Sequence, residues 1–211
     1  MGTFRAIILD FETTGLSPNC GDRVIEVGAV VVDDGVIVDR FQSLMNPGIK
    51  VSGFIESYTG ITNRMLSTAP PVAEVMRRFA GFIGGQPLVA HNAGFDRRFL
   101  DAELARIGHF RRQEMACSML LARRIYPDAP CHTLETLVRY KNLQTTGVHH
   151  RALADAEMTA HLWINLVRDL KRHYALRHVP FDLLLQVARL PKAKVSAHLD
   201  RFAASQRQMT D

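Results

Sequence analysis

The sequence predicts an α/β fold: a five-stranded mixed sheet flanked by helices, with a C-terminal helical extension. Three observations carry this prediction. Apolar and β-branched runs dominate from Ala6 to Leu44. After Pro70, helical periodicities alternate with two short apolar runs, Pro87–Ala90 and Met115–Cys117. Beyond Pro180, two stretches of helical amphipathicity follow with no strand between them.

Ala6-Ile7-Ile8-Leu9 forms the first strand, and Asp10 and Glu12 follow at its end. Side chains at i and i+2 share a strand face, so Ala6, Ile8, Asp10 and Glu12 align. Thr13-Thr14-Gly15 turns the chain away. Arg23–Val32 (RVIEVGAVVV) is the second strand, Asp33-Asp34-Gly35 a hairpin signal, and Val36–Leu44 the antiparallel return. Asn46-Pro47-Gly48 ends the hairpin, and Val51–Thr68 reads as a loop with short helical turns. Pro70-Pro71 opens a helix marked by Val72, Val75, Met76 and Phe79, which Gly84-Gly85 closes. Pro87–Ala90 is the fourth strand. Phe95–Ile107 is a helix with Phe95, Phe99, Leu100, Leu104 and Ile107 as its inner stripe. Met115–Cys117 is the fifth strand, and helices follow over Ser118–Tyr126 and Thr133–Tyr140. Ala152–Tyr174 is the longest helical pattern, with Leu153, Ala156, Ala160, Trp163, Leu166 and Leu170 on its apolar face. Residues 1–175 are expected to form the main domain and 176–211 a basic helical extension. That extension either packs on the main domain or binds a partner or nucleic acid.

At 211 residues, 47% hydrophobic and 22% charged, the chain suits one globular domain with an appendage. No apolar run approaches the roughly 18 residues of a membrane helix, and no signal-peptide pattern precedes the first strand. Cys20, Cys117 and Cys131 have neither paired nor zinc-ligand spacing. A reduced cytoplasmic location without a membrane is therefore expected. The net charge of +5 suits a polyanionic partner such as nucleic acid, or simply a solvated basic surface.

The chemistry begins with Asp10 and Glu12. Two carboxylates side by side in a buried strand are costly unless a cation lies between them, and Mg²⁺ and Mn²⁺ prefer such oxygens. Taken alone, the pair also fits a strand end with two solvated acids. Two further stretches offer acids. In Val89–Leu100 (VAHNAGFDRRFL), Asp96 lies near a helix start, where the helix dipole favours a carboxylate. In His149–Leu162 (HHRALADAEMTAHL), His150 lies at a helix entrance and Asp155 one and a half turns inside; taken alone, they also fit a capping histidine and a surface aspartate.

Together, Asp10-Phe11-Glu12-Thr13-Thr14-Gly15, His91-Asn92-Ala93-Gly94-Phe95-Asp96 and His150-Arg151-Ala152-Leu153-Ala154-Asp155 strongly resemble the DEDDh branch of the DnaQ-like 3′-5′ exonucleases. Within that branch the pattern is similar to the proofreading epsilon subunits of bacterial replicative polymerases. Tyr58-Thr59-Gly60-Ile61-Thr62 and Ala69-Pro70 are also similar to the family, and the resemblance spans roughly residues 4–172. No family pattern covers the chain beyond about residue 176. Cys117 stands where the family is often acidic.

The resemblance implies an RNase H-like fold and two-metal phosphodiester hydrolysis with Mg²⁺ or Mn²⁺. It assigns Asp10, Glu12 and Asp155 to one metal, Asp10 to both, and Asp96 to contact mostly through water. It makes His150 the general base, preferred over His149 because His150 fits the H-x4-D spacing. Thr13, Thr14, Gly15 and Leu16 would hold the terminal nucleotide, Leu16 as a wedge between the last bases. Phe95 would support a base or belong to the core. His91 and Asn92 would contact phosphate or cap the following helix. The products would be nucleoside 5′-monophosphates released from a 3′ end.

DNA is the expected substrate, in proofreading or repair. An exoribonuclease and a non-catalytic nucleic-acid-binding scaffold are the alternatives. A DNA polymerase and a second copy of the chain are the candidate protein partners.

Overall fold

A computed structural model describes residues 5–144 and 151–208. The strands are β1 (Arg5–Thr13), β2 (Val24–Asp33), β3 (Val36–Leu44), β4 (Leu88–Ala90) and β5 (Met115–Cys117). They form one sheet in the order β3-β2-β1-β4-β5. The first three are antiparallel neighbours, whereas β4 and β5 run parallel to β1. The expected mixed sheet is therefore present. Asp34 and Gly35 take positive φ values of 48° and 82° in the β2–β3 turn, the conformation a tight hairpin requires.

The helices are α1 (Gly53–Thr59), α2 (Asn63–Ser67), α3 (Val72–Ile83), α4 (Gly94–Arg106), α5 (Ser118–Ile125), α6 (Leu134–Tyr140), α7 (Ala152–His173), α8 (Phe181–Arg189) and α9 (Lys192–Gln208). The short turns expected over 51–68 are α1 and α2. Ser52 and Thr62 cap them by accepting from the N–H groups of Ile55 and Met65.

Alternation along β1 divides the core. Ala6 and Ile8 pack with Val30, Val32, Trp163 and Leu166 on one face of the sheet. Ile7, Leu9 and Phe11 pack with Phe79, Phe99 and Leu100 on the other. Leu184, Val187, Val195 and Leu199 of α8 and α9 belong to the same apolar cluster as α7. The C-terminal helices thus pack on the main core. Among the described residues, no helix is long and apolar enough to cross a membrane.

Three sequence boundaries shift, each for a physical reason. Asp10 and Glu12 lie inside β1, opposite Gly28 and Glu26, and the ladder is interrupted only between Glu12 and Thr13. Asp155 lies in the first turn of α7 because that helix starts at Ala152. The inner face of α4 is less apolar than its expected stripe. Asp96 and Glu103 are buried there with Phe99, Leu100 and Leu104, whereas Phe95 and Ile107 are only partly covered.

Candidate active site

β1 carries Asp10 and Glu12 toward the face that α7 covers, and the first turn of α7 brings Asp155 against them. One carboxylate oxygen from each of these three residues lies within 4.8 Å of the others. Asp96 arrives from α4. Its Oδ1 accepts the Phe11 backbone N–H at 3.2 Å, which ties that carboxylate to β1 between Asp10 and Glu12. Three elements distant in sequence therefore converge on one set of acids.

Burial and mutual repulsion make the cluster a poor place for naked charge. Desolvation raises Asp10 well above the ordinary carboxylate range, reinforced by Asp96, Asp155, Glu12 and Glu26. Burial, then Asp155, Glu26 and Asp96, pushes Glu12 up to about 8. Burial pushes Asp96 to about 7, although the N–H groups of Asp96 itself and Phe11 oppose the rise. Divalent cations reverse this balance by supplying the missing positive charge to an all-oxygen donor set. The residues present fit such ions.

Glu26 lies on β2 directly opposite Glu12 and is fully buried, but it is already compensated. Its Oε1 accepts from Arg151 Nη2 at 2.7 Å and Gln42 Nε2 at 2.9 Å. Its Oε2 accepts from Arg151 Nε at 3.1 Å and the Ala152 N–H at 3.1 Å. Sequence reading passed over this acid. The available signal was its alternation in β2, which places it on the face of Gly28 and Val30.

The loop after Glu12 is held from within. Thr13 Oγ1 donates to the Gly15 carbonyl at 2.6 Å. Asp22 accepts from Thr14 Oγ1 at 3.2 Å and from the Ser17 N–H at 3.0 Å. A Cβ on Gly15 would overlap the Asp22 carboxylate and push it out of these bonds. Leu16 at the loop tip is 79% exposed, a large apolar side chain presented to solvent.

His91 and Asn92 do not cap α4 with their side chains. The Asn92 carbonyl accepts from the Phe95 N–H at 2.9 Å, with Asn92 in the left-handed region at φ 61°. His91 bridges Ser118 Oγ at 2.9 Å and the His132 carbonyl at 3.0 Å, so both ring nitrogens are engaged within the protein. Burial lowers its pKa to about 4 and keeps it neutral. The Phe95 ring packs on Phe99 at 5.0 Å between centroids. His149 and His150 lie outside the described residues.

The family-like stretch that begins at Tyr58 also presents an aromatic pair. Phe54 and Tyr58 on α1 are 72% and 52% exposed and stack with centroids 5.9 Å apart and planes 11° apart. Partial burial raises the Tyr58 hydroxyl, and so do the negative charges of Glu12, Asp155 and Asp10. Their i, i+4 spacing on α1 was the available signal.

The RNase_T exonuclease family model matches residues 7–163. The chain belongs to that exonuclease family. It is 38% identical over 165 residues to a PolC-type DNA polymerase III from Caldanaerobacter subterraneus subsp. tengcongensis, covering 78% of this chain and 12% of that protein. It is 40% identical over 164 residues to the corresponding Bacillus cereus protein, covering 77% and 11%. The chain thus spans about one-eighth of the length of these relatives. Among solved structures, exonuclease X in complex with 5′-overhanging duplex DNA superposes with a TM-score of 0.69 at 28% identity, covering 87% of this chain and 99% of that one. The nuclease domain of 3′hExo, described as a DEDDh family member bound to rAMP, also has a TM-score of 0.69, over 80% and 94% of the two chains; at 20% identity it speaks for the fold alone. The RNase H-like fold expected from the motifs is the fold observed.

Proposed function

We propose that this exonuclease removes nucleotides from DNA 3′ ends in a metal-dependent reaction, in proofreading or repair, releasing nucleoside 5′-monophosphates. The observation that carries the proposal is the meeting of Asp10, Glu12 and Asp155 with ligand oxygens within 4.8 Å. The similarity to PolC-type polymerases and to a DNA-bound exonuclease favours DNA over RNA. A replicative polymerase is the protein partner this similarity suggests, and the cytoplasm is the corresponding location.

Asp10, Glu12, Asp96 and Asp155 would hold two divalent cations, Mg²⁺ or Mn²⁺. When bound, such ions offset phosphodiester charge and make a nucleophile available near neutral pH. Asp10 lies in β1 opposite Gly28, and Asp96 is oriented by its bond from Phe11. His150, from the H-x4-D spacing, takes the proton from the attacking water. The loop from Thr13 to Leu16 receives the terminal nucleotide, with Leu16 between the last bases. Phe95 and Asn92 would contact the substrate beside this loop, while His91, bonded to Ser118 and the His132 carbonyl, braces the end of β4.

Phe54 and Tyr58 extend the surface beside the acids with a platform on which unpaired bases stack. Tyr58→Ala should therefore raise KM for single-stranded DNA by about 5- to 150-fold, as expected from the ~1–3 kcal/mol that one aromatic contributes to stacking a base. Its kcat should change much less. Steady-state kinetics on an oligonucleotide checks this, and an unchanged KM would remove the platform.

The proposal as a whole is tested by a time course on matched 5′-labelled DNA and RNA oligonucleotides with Mg²⁺ or Mn²⁺, with and without EDTA. A DNA ladder shortening from the 3′ end, abolished by EDTA, is the expected result. A ladder on RNA alone would transfer the activity to RNA ends. Binding without cleavage would leave a nucleic-acid-binding scaffold.

A further inference from the structure

We propose that the Glu26–Arg151 ion pair is the positioning element of the metal site, fixing the height and rotation of α7 so that Asp155 meets Asp10 and Glu12. This inference rests on the divalent-cation reading of the acidic cluster.

Glu12 and Glu26 are cross-strand partners of the same residue type, but the sheet uses them differently. Glu12 remains among the candidate ligands, whereas both oxygens of Glu26 are occupied by four donors. The Arg151 guanidinium meets this carboxylate through two nitrogens, an arrangement that fixes direction as well as distance. The Ala152 N–H, one of the orphan donors at the start of α7, is satisfied by the same carboxylate. Arg151 is the N-cap residue of α7, and no side chain of its own caps that end. Glu26 therefore caps the helix from the sheet.

The connection to the site is short. The Arg151 carbonyl accepts the Asp155 backbone N–H at 3.0 Å, closing the first turn of α7. A carboxylate on β2 thus holds Arg151, and Arg151 holds the turn that presents Asp155. Gly28 admits α7 this close, since a Cβ there would overlap the Ala152 carbonyl group and the Leu153 nitrogen.

A simpler role for Arg151 is to offset negative charge near Glu12. The two roles separate because lysine keeps the charge but loses the planar fork. The experiment is calorimetric titration of Mn²⁺, without nucleic acid, into wild type, Arg151→Lys, Arg151→Met and Asp10→Ala, with thermal melts beside it. The Arg151 side chain is 37% exposed and leaves room for lysine, whereas methionine leaves the fully buried Glu26 carboxylate without its cation, which the melts will register. Both Arg151 variants should bind Mn²⁺ about 10- to 100-fold more weakly than wild type, the usual effect of losing the group that orients a ligand. Lysine should recover little of that loss. Wild-type affinity in Arg151→Lys would overturn positioning in favour of charge alone, and wild-type affinity in both variants would overturn any role. If Arg151→Met fails to fold, Arg151→Lys decides. Wild type that binds no Mn²⁺, or Asp10→Ala that binds as wild type does, would remove the cation reading and the positioning role with it. Normal wild-type binding with unaffected Arg151 variants would remove positioning only.

Discussion

Asp10→Asn is expected to lower exonuclease activity by a factor on the order of 10³ or more, while making the metal-free protein more heat-stable above neutral pH. The activity loss follows from the proximity of Asp10 to Glu12 and Asp155 and from the charge of Asp96 that also acts on it. Losing even one preorganised group that stabilises transition-state charge costs about 10²–10³, and Asp10 would serve both cations. The stability gain follows from repulsion. Burial and the neighbouring acids raise Asp10 well above its ordinary value, with Glu12 at about 8 and Asp96 at about 7. A carboxyl whose folded pKa exceeds its unfolded one favours folding fully below the unfolded value, about 4. That contribution is lost as pH rises through the folded value. The metal-free protein should therefore melt progressively earlier from about pH 4 to about pH 8, and Mn²⁺ should restore most of the loss at the upper end. Asparagine carries no charge at any of these pH values, so the decline should be shallower in the variant. Melting curves in chelator and in Mn²⁺, run with the oligonucleotide assay, measure both effects. Retained activity, or an equally steep decline with pH, would count against Asp10 as the central acid.

How much of this was legible in the sequence depended on whether a residue's partners were local. The strand-face alternation of Ala6, Ile8, Asp10 and Glu12 is a local rule, and the sheet enforces it because both of its faces are covered. The Asp34-Gly35 turn and the caps at Ser52 and Thr62 were equally local. Glu26 was not legible as a positioning residue. Its partner Arg151 lies 125 residues away, and in sequence it looks like any acid in a β-branched strand. Glu103 was hidden for the same reason. Its carboxylate sits on the inner face of α4 and pairs with Arg23 at 2.8 Å and Arg106 at 3.0 Å, breaking the apolar stripe that periodicity requires. The motif stretch around His91 mixed two purposes. Asp96 reaches β1, whereas the His91 ring ties the end of β4 to α5 and to the His132 carbonyl. Motif spacing alone cannot separate a side chain that faces the acids from one that braces the strand behind them.

Gly28→Ala carries the other large expected effect, because it tests the fold and the site in one change. Gly28 pairs with Asp10 across the β1–β2 ladder, and α7 begins directly above it. The obstacle to a methyl group here is backbone, which cannot rotate aside as a side chain can. Either β2 bends or the first turn of α7 lifts. Overfilling a packed contact of this kind costs about 1–3 kcal/mol of stability. The larger consequence falls on chemistry, since a displacement of about 1 Å in a reacting arrangement can reduce rate ~100-fold. Asp155 lies in the turn that would move, whereas Leu16, Phe54 and Tyr58 lie on other elements. Activity should therefore fall about 100-fold through kcat, KM for DNA should hold, and higher Mn²⁺ should recover part of the loss. Gly81→Ala is the matched control. It lies on α3 with no atom within 4 Å of the added carbon, so the same chemical change there should be neutral or stabilising by up to ~1 kcal/mol. If Gly28→Ala keeps wild-type kcat and Mn²⁺ dependence, α7 can shift without disturbing Asp155, and close contact between this helix and the sheet is not what sets the site.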